Sequence, residues 1–305
     1  MAIHTLSICA GIGGLDIGAS LAIPEMRTVC YIEREVFAAA TLVARMEEQG
    51  IHRAPVWDDL TTFDGKPWRG KVDLILAGFP CQPVSVAGKR KGHEDERWLF
   101  DDIARIIDEV RPTYIFLENV RGIVSRGLDR VLGALASLGY DAEWGCLQAK
   151  QTGATHKRER WFCLAYPSGF AGKRRREAKD LVRTTGAAQE NSEQWEWSRS
   201  SADHSLGGMA HTSGTRLEGS EWPRAHGEEA TTHGPATELR LPCFPPGPND
   251  LERWERVPDA LKPAVRRVAD GNAYRVDRLR ALGNGVVPLQ AAVALSLLAD
   301  RAELC

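Results

Sequence analysis

The feature that most constrains the fold is an alternation running through residues 1–166. Short apolar runs rich in β-formers are separated by longer stretches in which apolar residues recur every three or four positions. Such a rhythm builds a parallel sheet covered by helices, because each return to a parallel strand needs a crossover long enough to hold a helix. Strands are expected at 4–9, 28–33, 72–77, 114–117 and 161–166, with crossover helices at 35–49, 99–110 and 128–138. The expected fold class is therefore α/β.

After Tyr166 the rhythm stops. Residues 168–240 are rich in Gly, Ser, Thr, Glu and Arg, carry few aliphatics and hold four of the eight histidines, which marks a second module. A Pro-rich stretch at 241–248 leads out of it, and 288–304 has the pattern of an amphipathic helix opened by Pro288. One domain is expected from 1–167 completed by 272–305, with a smaller module and its return segment at 168–271. A chain of 305 residues, 43% of them hydrophobic, can bury a core of that size.

Bulk properties exclude several classes. There is no run of 18 apolar residues and no basic-then-apolar leader, so a soluble, cytoplasmic protein is expected. Seven cysteines, an odd number without a C-x-x-C pair, argue against a disulfide framework and against a cysteine zinc site. The histidines at 204, 211, 226 and 233 have no cysteine companions, so no metal is expected. A net charge of -2 gives no global pull toward nucleic acid, which leaves any such contact to a local basic surface.

Several short segments carry chemistry. Ala10, Gly11, Gly13 and Gly14 follow a strand and open a helix, where a glycine turn brings backbone close to a ligand. Glu33, some 20 residues on, closes the second strand, where an acidic side chain in such sheets takes ribose hydroxyls. Taken alone, Glu33 and Asp59 are more often solvated strand-end or helix-capping carboxylates than ligand contacts, but their joint placement at strand ends favours a nucleoside-shaped ligand. Gly78, Phe79, Pro80, Cys81 and Gln82 follow the buried run 72–77, which puts Cys81 in a Pro-stiffened loop at the carboxyl end of a strand. A free cysteine is more often buried and inert than nucleophilic. Its neighbours change that reading: Glu118 and Asn119 end another strand at the same edge, and Arg158 and Arg160 sit just before the run 161–166.

In this order, these segments resemble the motifs of the DNA cytosine-5 methyltransferase family over about 1–166 and 272–305. The resemblance implies a Rossmann-like S-adenosyl-L-methionine-dependent methyltransferase domain with a smaller target-recognition domain. It implies that Ala10, Gly11, Gly13, Gly14, Glu33, Asp59, Gly78, Pro80, Asn284 and Val286 line the methyl-donor site. Cys81 would be the nucleophile that adds to the 6-carbon of a flipped-out cytosine, and Glu118 the acid that protonates its N3. Arg160 would hold the cytosine O2, Arg158 would support the active-site loop or a phosphate, and Asn119 and Gln82 would position neighbours.

Ser85, Lys89, Arg90 and Lys91 lie in the segment that resembles the family's mobile DNA-contacting loop. Lys173, Arg174, Arg175 and Arg176 form the one dense cationic run of the second module, readable as a phosphate clamp or as a solvated turn. Double-stranded DNA is the partner implied, with a monomeric enzyme and, in restriction-modification systems, a cognate endonuclease that need not bind it. Cys9 and Arg34 stand where the family often has aromatics, and His156 where it has Gln. One branch of the family acts on transfer RNA, and a catalytically inactive DNA-binding relative is the third reading left open.

Overall fold

The computed structural model describes residues 2–80, 98–169, 196–200 (backbone), 255, 281, 283–302 and 304. Two compact units emerge, Met1–Ala202 with Pro263–Cys305, and Asp203–Lys262. The described residues of the first unit form an α/β layer structure around one eight-stranded sheet, of order β3-β2-β1-β4-β5-β7-β6-β8.

Strands β1 (Ile3–Ile8), β2 (Met26–Ile32), β3 (Val56–Trp57), β4 (Leu74–Gly78) and β5 (Tyr114–Val120) run parallel. β7 (Glu159–Pro167) lies antiparallel between β5 and β6 (Tyr140–Gln148). Glu196–Ser200, which composition groups with the second module, pairs antiparallel with β6 as β8. In β4, Leu74, Ile75, Leu76 and Ala77 are all buried, as a central parallel strand covered on both faces requires.

Helices α1 (Gly14–Ala22) and α5 (Pro288–Arg301) pack with one face of the sheet, around Leu76, Phe116, Phe162 and Leu164. α3 (Phe100–Val110) and α4 (Leu128–Ser137) pack with the other, around Ile75, Ile115 and Leu117. The spacing of Phe100, Ile103, Ile106, Ile107 and Val110 gives α3 one apolar stripe, and each such side chain contributes about 1.5–3 kcal/mol on burial. α2 (Val36–Glu47) packs Leu42 and Met46 on Tyr31 and Ala10, and Glu35 caps it by accepting from the Ala38 N–H.

Three expectations are corrected. The strand at 140–148 was not anticipated: Tyr140, Ala142, Trp144 and Cys146 do alternate with Asp141, Glu143 and Gly145, but acidic residues and glycine are depleted in strands. Glu143 is nonetheless fully buried, paired at 3.3 Å with Arg301, 158 residues away. The last strand starts at Glu159 and runs antiparallel, so Arg160 lies within it rather than before it. The final helix is buried on every side from Gln290 to Ala299 instead of amphipathic, since it lies among α1, β6 and β7.

Strand order reverses between β1 and β4: the chain builds outward through β2 and β3, then returns to the other flank of β1. Open α/β sheets bind ligands at such a switch point, beyond the carboxyl ends of the strands. The loops after β1 and β4 both start there.

Candidate active site

The loop after β1 is held in a tight, non-extended shape. Cys9, Gly11 and Gly13 have φ of 51°, 57° and 81°, and Gly13 caps α1 without a side-chain partner. Glu33, just past β2, stabilises this loop: its carboxylate accepts from the Gly11 N–H at 2.7 Å and from the Glu35 N–H at 2.7 Å. Arg45 of α2 donates to the Ile12 carbonyl at 2.8 Å from the other side. Gly14 lies directly against the backbone of Val286, so that a Cβ there would fall 2.5 Å from the Val286 carbonyl oxygen. Ala10, Gly11, Gly13, Gly14, Glu33 and Val286 therefore come together, and Asn284 is exposed in the helical segment just before Val286.

Asp59 sits outside those contacts. Its carboxylate caps a short 3-10 turn, accepting from the Thr61 N–H at 2.9 Å and hydroxyl at 2.8 Å. Those bonds hold its pKa below the usual carboxylate value, with the Arg34 charge adding to the effect.

At the carboxyl ends of β4 and β5 stands the acidic centre. Gly78 pairs in register with Glu118, and a Cβ on Gly78 would lie 3.6 Å from Glu118 Oε2, so the carboxyl lies beside this glycine. β7 pairs Val120 with Arg160, which puts Arg160 on the same face as Glu118 and one diagonal away. Arg160 Nε meets Glu118 Oε1 at 3.0 Å. Glu118 is only 6% exposed. Burial raises its pKa to about 7, against the opposing pull of Arg160, then Arg158, and the Arg160 hydrogen bond.

Asn119, 1% exposed, fixes the adjoining turn: its Nδ2 donates to the Phe79 carbonyl at 3.3 Å and its Oδ1 accepts from the Val120 N–H at 2.8 Å. Pro80 is exposed at the end of this turn. Phe79, Trp98 and Phe100 pack ring to ring, with Phe79 and Phe100 centroids 5.4 Å apart, so the residues on either side of 81–97 are pinned together. Cys81, Gln82, Ser85, Lys89, Arg90 and Lys91 lie outside the described residues, as do Lys173, Arg174, Arg175 and Arg176.

Arg158 has φ +34°, and its Nη2 donates to the carbonyls of Gly283, at 2.9 Å, and Gly285. Burial lowers its pKa, followed by the Arg160 charge. Gln290 answers from α5, donating to the carbonyls of Leu147 at 2.7 Å and Arg158 at 2.9 Å.

Sequence reading missed Arg45, Gln290 and the buried Asp16. Gln290 carried a signal, as a polar residue at the head of an apolar helix. Asp16 carried none, since an acid in a first helical turn ordinarily faces solvent.

The family model for C-5 cytosine-specific DNA methylase matches residues 3–224. The chain belongs to that family. Among curated relatives, the Type II methyltransferase M.CviJI of Paramecium bursaria Chlorella virus IL3A is 36% identical over 168 residues, covering 54% of this chain and 43% of the relative. The Type II methyltransferase M.NgoMIV of Neisseria gonorrhoeae is 35% identical over 174 residues, covering 56% and 54%. The chain thus spans about half the length of the curated relatives it matches. Among solved structures, S. pombe Dnmt2 methyltransferase aligns at 27% identity over 54% of this chain and 51% of that one, with a TM-score of 0.44. As a C-5 cytosine methylase fold, the sheet carries its glycine loop, its acid and its arginine pair at a single edge.

Proposed function

We propose that this protein is a DNA cytosine-5 methyltransferase that acts on a flipped-out cytosine in a specific double-stranded sequence through a covalent Cys81 adduct. The observation that carries the reading is the buried Glu118, paired with Arg160 and poised to hold a proton near neutral pH. Nucleophilic addition to a pyrimidine ring needs a proton donor at N3, and a surface carboxylate would be ionised at that pH.

The residues at the glycine loop fit S-adenosyl-L-methionine. Each Glu33 oxygen accepts one N–H and keeps a lone pair for a ribose hydroxyl, and a Cβ at Gly11 would meet nothing within 4 Å among the described residues. When bound there, the donor supplies an electrophilic methyl group. Ala10, Gly11, Gly13, Gly14, Glu33, Gly78, Pro80, Asn284 and Val286 would enclose it, with Asp59 at the rim. In the methylase reading, the Cys81 thiolate forms a bond to C6 of cytosine while Glu118 delivers its proton to N3, so the electron pair gathers at C5. Arg160 stabilises charge on O2 from the face it shares with Glu118. Asn119 keeps the Phe79–Pro80 turn, and with it the start of the nucleophile segment, in place.

Bisulfite sequencing of DNA from cells expressing the full chain tests the proposal. One cytosine context should become protected, and expression of Cys81→Ser should leave that context unprotected. A DNA profile identical to the empty vector, with 5-methylcytosine appearing in transfer RNA instead, would overturn the DNA assignment.

A further inference from the structure

We propose that Arg158 is a positioning residue for the methyl-donor site, tying the turn at 283–285 to the strand edge that carries Arg160 and so holding Val286 against Gly14. The role rests on the glycine loop being the donor site. Its physical basis is a tie made from both ends of the same residue. The guanidinium reaches out to the carbonyls of Gly283 and Gly285, while the Arg158 carbonyl accepts from Gln290 and from the Ala149 N–H. Gly283, Gly285 and Gln290 lie 125, 127 and 132 residues from Arg158, so these three bonds are not imposed by chain proximity.

The turn so held is the wall of the glycine loop. Gly285 approaches Ile12, with a Cβ there 3.5 Å from Ile12 Cδ1, and the Ile12 carbonyl is in turn held by Arg45. One connected set therefore runs from Arg45 through Ile12, Gly285 and Arg158 to Arg160 and Glu118. The positive φ at Arg158 is unusual for a side-chain-bearing residue, and such strain persists where surrounding contacts over-determine it. The guanidinium is also poorly placed to serve as a free phosphate ligand. Its Nη2 is taken by two carbonyls, and its Nε is buried without a partner among the described residues.

The test uses the full chain with Arg158→Ala and Arg158→Lys. Amide exchange over 283–292, S-adenosylhomocysteine binding by calorimetry, duplex DNA binding and thermal unfolding are measured together. Arg158→Ala should speed exchange in that segment and weaken S-adenosylhomocysteine about tenfold, or roughly 1.4 kcal/mol. Exchange in β4 and β5 and the affinity for DNA should stay at wild-type values. In turnover, the donor KM should rise more than kcat falls, and Arg158→Lys should recover part of both effects because an ammonium can still reach one carbonyl. Unchanged exchange and unchanged S-adenosylhomocysteine affinity, with weaker DNA binding, would overturn the role and make Arg158 a phosphate contact. Should the wild type bind no S-adenosylhomocysteine, the donor-site reading fails. Exchange alone then decides the tie: faster in Arg158→Ala upholds it, and unchanged refutes it.

Discussion

Replacing Asp16 with asparagine is expected to stabilise this protein at neutral pH, although it removes a residue with two good hydrogen bonds. Asp16 is 2% exposed, and accepts from the Ser7 hydroxyl at 2.7 Å and the Thr28 hydroxyl at 3.1 Å. Those bonds favour the charged form, each by about 1.5–3 kcal/mol, and the start of α1 adds about 0.3–1 kcal/mol. Burial nevertheless wins, because the pKa rises from 3.8 to about 6. The native state thus holds a proton that the unfolded chain has already lost between about pH 4 and 6, so stability falls as pH rises through that window. Roughly two pKa units correspond to about 3 kcal/mol that the charged form costs at pH 7.5. Asparagine has the same shape and no charge, and the two hydroxyls can rotate so that one donates to its oxygen and the other accepts from its nitrogen. Thermal unfolding of wild type and Asp16→Asn from pH 4.5 to 7.5 should give a flatter curve for the variant. At pH 7.5 it should gain about 1–3 kcal/mol, with each kcal/mol worth about 2–4 °C in a chain of this size. A variant that is less stable at pH 7.5 and keeps the wild-type slope would refute the reasoning, because Asp16 would then be a well-solvated or well-paired anion.

Two glycines in helices should respond oppositely to the same added methyl. Gly18→Ala would put a Cβ 2.5 Å from the Pro288 carbonyl oxygen and 2.7 Å from Ala291 Cβ, forcing α1 from α5 at about 1–3 kcal/mol, whereas a Cβ at exposed Gly133 would meet nothing within 4 Å among the described residues and Gly133→Ala should gain about 0.5–1 kcal/mol, both read as Tm. In the proposed reaction kcat/KM should fall as pH rises through about 7, because Glu118 would then lose the proton it is proposed to deliver. Glu118→Gln should cost about 10²–10⁴ in rate and remove that limb from the profile, and a profile unchanged by this variant would exclude Glu118 as the acid. Cys81→Ser should abolish turnover while DNA and S-adenosylhomocysteine still bind, and wild-type-like turnover in it would sink the covalent mechanism.

The parts legible in the sequence are those whose signal is local. Apolar runs at 72–77 and 114–117 announce β4 and β5 because both strands are buried on both faces, and the glycines announce the loop because its backbone demands them at 11 and 13 and the approach of Val286 demands one at 14. Strand β6 was illegible because Glu143 is made tolerable by Arg301, from the far end of the chain. The direction of β7 was illegible for a related reason. A run such as 161–166 shows that a strand exists but contains nothing about which neighbour it joins, and its antiparallel placement decides which of its residues face Glu118. Arg158 illustrates the limit best. Sequence presents it beside Arg160 as a support for the active-site loop or a phosphate, while the partners of its guanidinium are carbonyls more than a hundred residues onward.

The pairing of Glu118 with Arg160 follows from the same topology and sets the chemistry available. Burial alone would raise the carboxyl's pKa further, leaving a weaker acid more reluctant to give up its proton. An exposed arginine pair alone would hold it ionised, with no proton to give. Inserting β7 antiparallel beside β5 brings the guanidinium to 3.0 Å, and the two effects oppose each other to leave the group near pH 7, where holding and releasing a proton cost about the same. A parallel β7 in that position would enter from the opposite edge and carry its N-terminal Arg160 away from Glu118. The reversed strand is therefore what puts an acid and its modulating cation at the edge of the sheet where the glycine loop and the Phe79–Pro80 turn also end.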